Sequence, residues 1–183
     1  MLKRTLFIAT FLLIFATGLV LAADTQKILE EADQLIKAGQ YDTAFKLLSE
    51  ADKKSENPEI VLKQVDIALN YFAVSTMHQM FAFKDLQPGE TIEDIRGNEE
   101  SESESGGGVY SYYQFEIDKI LNKLIIRFPK NGQLYKALGE FYFEVSLRYG
   151  KGWLKPEQEL VELAEKNCLK AEQNGVFDAK SLS

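Results

Sequence analysis

Apolar side chains recur three and four residues apart along most of this chain, the spacing of one buried helical face. Ile28, Leu29, Ala32, Leu35 and Ile36 set that stripe over residues 25–38, where Thr25 can cap the start. Gly39 follows, and glycine ends a helix at little cost in the left-handed conformation. A second stripe runs over residues 41–54 through Tyr41, Ala44, Phe45, Leu47, Leu48 and Ala51. So short a turn makes the two predicted helices antiparallel neighbours. Ala32 and Ala44 are small where they cross, which lets the axes approach.

Asn57-Pro58-Glu59 predicts the start of a third helix, with Ile60, Val61, Val65, Ala68, Leu69 and Phe72 on its apolar face. It reaches Phe72, with Phe83 as the alternative limit. The run 77–83 is apolar almost all round, so it is buried or part of a contact surface. The period is lost over 84–108. Gln87-Pro88-Gly89 reads as a turn and residues 91–96 as a short helical turn. The run from Gly97 to Gly108 is acidic, serine-rich and closed by three glycines, so 84–108 is expected to be a disordered insertion. Its glutamates lack the fixed spacing and constrained turn of a calcium loop.

Helical periodicity returns over 109–128 with Phe115, Ile117, Ile120, Leu121, Leu124, Ile125 and Phe128, and Pro129 stops it. Asn131-Gly132 leads into a fifth helix to about Tyr149, carrying Leu134, Tyr135, Leu138, Phe141, Tyr142 and Val145. Pro156 opens a sixth to about Glu172, with Leu160, Leu163, Ala164, Cys168, Leu169 and Ala171 inward. Asn174-Gly175 ends it.

The N-terminus adds a location. Lys3 and Arg4 precede an uncharged apolar stretch to Leu21, then Ala22, Ala23 and Asp24, the order of a secretory signal peptide cleaved after Ala22. An uncleaved anchor is the alternative, and it would be the chain's one tie to a membrane. The expected location is periplasmic or secreted. The net charge of −7 becomes more negative once Lys3 and Arg4 leave, which disfavours nucleic acid and anionic lipid as partners. One cysteine, Cys168, allows no intrachain disulfide, so packing alone must hold the fold.

Catalytic signals are sparse. His78 is the single histidine; with Met77 and Met80 it suggests a soft metal site, but such sites need several convergent ligands, and a core or interface role fits better. Cys168 falls on a packed helical position. No phosphate-binding glycine loop, zinc-ligand pair or serine elbow occurs in the sequence. Neither an enzyme nor a cofactor is expected. Trp153, between glycines and Leu154, either forms a contact loop or caps the last helix pair.

Taken together, Ile28, Ala32, Leu35, Gly39, Tyr41, Ala44, Leu48 and Ala51 resemble one unit of the tetratricopeptide repeat (TPR) family. Tyr135, Leu138, Gly139, Tyr142, Ala164, Cys168 and Ala171 match another unit. A middle unit, with Leu62, Val65 and Leu69 and then Ile117, Leu121 and Leu124, departs from the pattern at Asp66 and Ile117. The resemblance implies an all-α domain over 23–183. Antiparallel helix pairs would stack in it as a short right-handed solenoid of about three units, 25–58, 59–131 and 132–175. Phe177-Asp178-Ala179-Lys180 resembles the opening of a further repeat, read as a capping turn or as a truncated unit.

In that family the first helix of each pair lines a concave groove. Carried over by position, Asp33, Ile36, Lys37, Asn70, Tyr71, Glu140, Phe143 and Glu144 are the implied partner-binding residues. The expected function is an exported scaffold that holds a protein or peptide partner. The alternative is an accessory subunit of an envelope transport or assembly system that binds a small ligand, with Tyr110, Tyr112 and Tyr113 shaping a pocket.

Overall fold

The computed structural model describes residues 24–76, 79–97, 110–148 and 154–177. The predicted signal segment, the acidic run beyond residue 97, Met77, His78, Trp153 and the last six residues lie outside them. Among the described residues the chain forms α1 (24–37), α2 (Tyr41–Ala51), α3 (Pro58–Asn70), β1 (Val74–Thr76) and β2 (Met80–Phe83). It continues through α4 (Ile92–Gly97), β3 (Ser111–Gln114), α5 (Ile117–Arg127), α6 (Gly132–Arg148) and α7 (Glu157–Gln173). Helix dominates, as the pattern predicts, but the fold also holds a small antiparallel sheet of order β1-β2-β3.

The sheet corrects two expectations. The third helix stops at Asn70 and does not run on to Phe72 or Phe83. The helix predicted from residue 109 begins only at Ile117. Both replaced stretches are rich in aromatic or β-branched residues, which suit a pleated, half-buried surface. In β3 the side chains alternate, Tyr113 inward and Tyr112 out to solvent, where a helix would need a longer period. The register pairs Phe81 with Tyr113 and Val74 with Ala82.

Local chemistry explains the helix ends. After α1, Gln40 N–H donates to Leu35 O (2.9 Å) and Gly39 N–H to Ile36 O (3.0 Å). That is the Schellman pairing, and it puts Gly39 at φ +72°. At α7 the same pairing recurs, Val176 N–H to Ala171 O (3.0 Å) and Gly175 N–H to Glu172 O (2.9 Å). Asn57 caps α3 by accepting from Glu59 N–H at 3.0 Å, with Pro58 in the first turn, where its missing N–H does no harm.

Helices α6 and α7 run antiparallel in close contact. A Cβ on Gly139 would stand 2.9 Å from Cys168 Sγ, and one on Gly132 would stand 2.6 Å from Val176 Cγ2. α6 also packs on α5 and α3, and α2 packs on α3. One apolar cluster joins these helices to the sheet. Phe45 of α2 is its aromatic hub. It stacks on Phe83 (4.6 Å between centroids), tilts against Tyr113 (4.8 Å) and meets Phe115 edge-on (5.3 Å). Such aromatic pairs add to the stabilisation from apolar burial itself.

The expected disordered insertion needs revision over 84–97. Leu86 N–H donates to Gly39 O (2.8 Å), Gln40 and Asp85 form an isolated antiparallel bridge, and Leu86 covers the Gly39 turn. α4 follows where a short helical turn is predicted.

Candidate functional site

α1, α3 and α6 are tied to one another by polar bonds. Lys63 of α3 reaches Asp33 of α1 at 2.7 Å, and Asn57 Nδ2 donates to Thr25 Oγ1 at 3.1 Å. Arg148 of α6 donates to the carbonyl of Leu69 at 3.1 Å and pairs with Glu144 at 2.7 Å. The predicted binding residues of these helices therefore belong to neighbouring elements, though several have internal work. Asp33 and Glu144 serve in these ties, and Glu140 pairs with Lys136 at 3.1 Å. Ile36 is half-buried against the core, and Lys37 is exposed.

Asn70 and Tyr71 sit at the C-terminal end of α3, where unpaired carbonyls and the negative end of the helix dipole favour cations. Two arginines from distant segments occupy that end. Arg96 of α4 donates through Nε to Phe72 O (2.9 Å) and through Nη2 to Asn70 O (2.9 Å). Its guanidinium lies 4.2 Å from the centroid of the Phe72 ring, and that of Arg148 lies 5.5 Å from the same ring. Both distances fall within cation–π range. Tyr71 stacks on Tyr41 at 4.6 Å, so it bridges α3 to α2. Burial pushes the Tyr41 phenol up, and the Tyr71 phenol adds to the shift.

The open side chains include two large apolar ones. Phe143 is 50% exposed and Leu147, one turn on, is 65% exposed, both on α6. Flanking acids on this helix are matched by bases four residues away, so the surround carries little uncompensated charge. Sequence reasoning singled out Phe143 and did not single out Leu147, Lys63, Arg96 or Arg148. The spacing of Glu144 to Arg148 was a readable signal for one of these; nothing local marks Arg96 as a cap for α3.

A second junction joins α2 to the sheet. The Asp42 carboxylate accepts from Ser111 Oγ and from the Tyr113 hydroxyl, each at 2.7 Å. Burial, with that carboxylate beside it, drives the Tyr113 phenol far above its ordinary value. Asp85 accepts from Thr43 N–H (3.1 Å) and Thr43 Oγ1 (2.5 Å), capping α2 from across the fold. Tyr113 thus points inward to α2, Tyr112 points out, and the two do not line a common pocket. Cys168 lies against Gly139, and burial pushes its thiol up, away from thiolate chemistry.

No group of three or more histidine, cysteine or carboxylate side chains able to hold a metal occurs among the described residues. No described helix is long and apolar enough to cross a membrane. The chain matches no family model, and no curated protein or solved structure is similar enough to it to assign a family.

Proposed function

We propose that this chain is an exported, non-catalytic scaffold of TPR type. On this reading its helix pairs stack as a short right-handed solenoid and hold a protein or peptide partner on the face of α1, α3 and α6. The observation that carries the reading is the exposed pair Phe143 and Leu147 on α6, beside charges that are already matched. Exposed aromatic and aliphatic side chains in a neutral surround favour contact with another apolar surface. The stacking is supported by the order of packing. α1 is bonded to α3 and α3 to α6, while α2 packs on α3, α5 on α6, and α6 on α7. Export rests on the basic, apolar and small-residue order of the first 22 residues.

A photo-crosslinking side chain at Phe143 tests the face in envelope extracts. Discrete adducts are expected at Phe143, and none at Lys46 on the exposed side of α2. Recovery of the same partners after charge reversal of Asp33, Lys37 and Glu140 together with Phe143→Glu and Leu147→Glu would sink the assignment.

A further inference from the structure

Helix α7 carries both apolar side chains and unmatched charges on the side it turns to solvent. Leu160, Ala164, Asn167 and Ala171 are its buried stripe, and α6 is the helix packed against it. On the outer side Val161 is 48% exposed and Leu169 is 50% exposed. Leu169, which the periodicity predicts inward, thus stands half in solvent. Val161, Glu165 and Leu169 follow one another at four-residue spacing, one ridge about two turns long on the helix surface.

The charges of this side are arranged differently from those of α6. On α6, Lys136 pairs with Glu140 and Glu144 with Arg148, each one turn away. On α7 they are sorted along the helix: Glu162 and Glu165 come first, then Lys166 and Lys170, all exposed. Glu162 accepts from the neutral Gln158 amide at 3.1 Å, and Lys170 donates to the neutral Gln173 amide at 3.0 Å. Among the described residues none of these four charges is in an ion pair.

Acids followed by bases complement the same helix running the other way. A parallel copy would set acid on acid and base on base. An antiparallel copy that puts Val161 opposite Leu169 sets Glu162 opposite position 168, between Lys166 and Lys170 of the copy. Two-fold symmetry repeats the arrangement at the other end. Glu165 then lies nearest the axis and faces the same carboxylate of the copy, which is unfavourable.

We propose that the outer side of α7 is a self-association surface. A second copy of this chain docks on it antiparallel, Val161 against Leu169, with Glu162 of each copy between Lys166 and Lys170 of the other. One helix against its like buries little area, so the dimer is weak and forms with rising concentration. The surface lies on a different helix from Phe143 and Leu147, and it stands whether or not they hold a partner.

Sedimentation velocity of the purified full chain at rising concentration tests the proposal. A reversible monomer–dimer equilibrium is expected. Val161→Glu with Leu169→Glu should raise its dissociation constant about tenfold or more, since charge enters an apolar contact. Glu165→Gln, which removes the repulsion at the axis, should tighten the dimer. Glu162→Lys makes the outer side more basic, and Lys166→Glu with Lys170→Glu makes it more acidic. Each of these two chains should self-associate more weakly than the parent, and an equimolar mixture of them should form heterodimers. Phe143→Glu should leave the equilibrium where it is. All the α7 positions are exposed, so the variants should keep the native circular dichroism spectrum. A parent chain that stays monomeric up to about 1 mM would leave α7 to a different protein and overturn the proposal. So would unchanged association of the Val161 and Leu169 variant, loss of the dimer in Phe143→Glu, or a mixture without heterodimers.

Discussion

The α1–α2 turn and the segment that covers it, residues 84–97, meet at Gly39, yet they are held by different means. The turn is closed by its own backbone: Gln40 and Gly39 N–H groups satisfy Leu35 and Ile36 carbonyls within one helical turn. The covering segment depends on groups far away in sequence. Asp85 caps α2 through Thr43, Leu86 borrows the Gly39 carbonyl, and Arg96 caps α3 through Phe72 and Asn70. The sheet beside it is similar, with Ser111 and Tyr113 anchored on Asp42. The ends of α1 and α7 are closed by neighbours in sequence; the sheet and its covering segment are anchored on helices far away in sequence. That difference predicts an order of opening, since a segment whose hydrogen bonds are mostly solvent-exposed opens at lower free energy than the core.

The strongest way to break the contrast is to remove what both regions share. Phe45 belongs to α2, but its ring partners are Phe83, Tyr113 and Phe115. Phe45→Ala should cost about 3–5 kcal/mol, the range for emptying a buried aromatic site. Urea unfolding should show one transition shifted down, with sheet and helices lost together. A loss under about 1 kcal/mol would mean the two regions are energetically separate.

Gly39→Ala separates backbone from packing at the meeting point. Its φ of +72° costs an L-residue about 1–2 kcal/mol. The new Cβ would also stand 3.0 Å from Leu86 Cδ1, tighter than ordinary contact. Leu86→Ala in the same chain should recover the steric part and leave the backbone part. A double-mutant cycle without coupling would show that Leu86 yields freely.

These sites also mark what the sequence could disclose. Gly39, Asn57-Pro58 and Asn174-Gly175 act within a few residues of themselves, so their helix ends were legible. So were the crossing residues Ala32 and Ala44, both fully buried. The sheet was not, because Met80–Phe83 is buried along most of its length and shows neither a helical nor an alternating period. Asp42, Asp85 and Arg96 look like ordinary surface charges in sequence; their partners lie 24 to 71 residues away. Of the candidate face, Phe143 was legible as an apolar residue on an outward position. The pairing that uses up Asp33, on Lys63, was not.

Asp85→Ala probes the long-range cap alone. Losing a capping acceptor costs about 0.5–2 kcal/mol. If the covering segment is held as described, hydrogen exchange should rise over residues 84–97 and at the Thr43 amide, with α6 and α7 unchanged. Uniform acceleration through all helices would show that the cap supports the whole fold and not its cover.

Acid should loosen the same segment by a smaller, graded amount. The Gln87 N–H, with Lys84 beside it, holds the Glu90 carboxyl below its ordinary value, and the Thr91 hydroxyl and N–H do the same for Asp94. A carboxyl whose folded value is depressed contributes stability that is complete above its unfolded value. That contribution is lost as pH falls through the folded one. Both groups are solvent-facing, so the effect is local. The Gln87 and Thr91 amide resonances, which report directly on these hydrogen bonds, should therefore titrate together below the usual carboxylate range. Amides of α1 and α7, whose ends are closed by backbone carbonyls, should stay still over that interval. Titration of Gln87 and Thr91 at the ordinary carboxylate value would mean the covering segment is already loose at neutral pH, and the contrast with the helix pairs would then rest on the arginine and aromatic contacts alone.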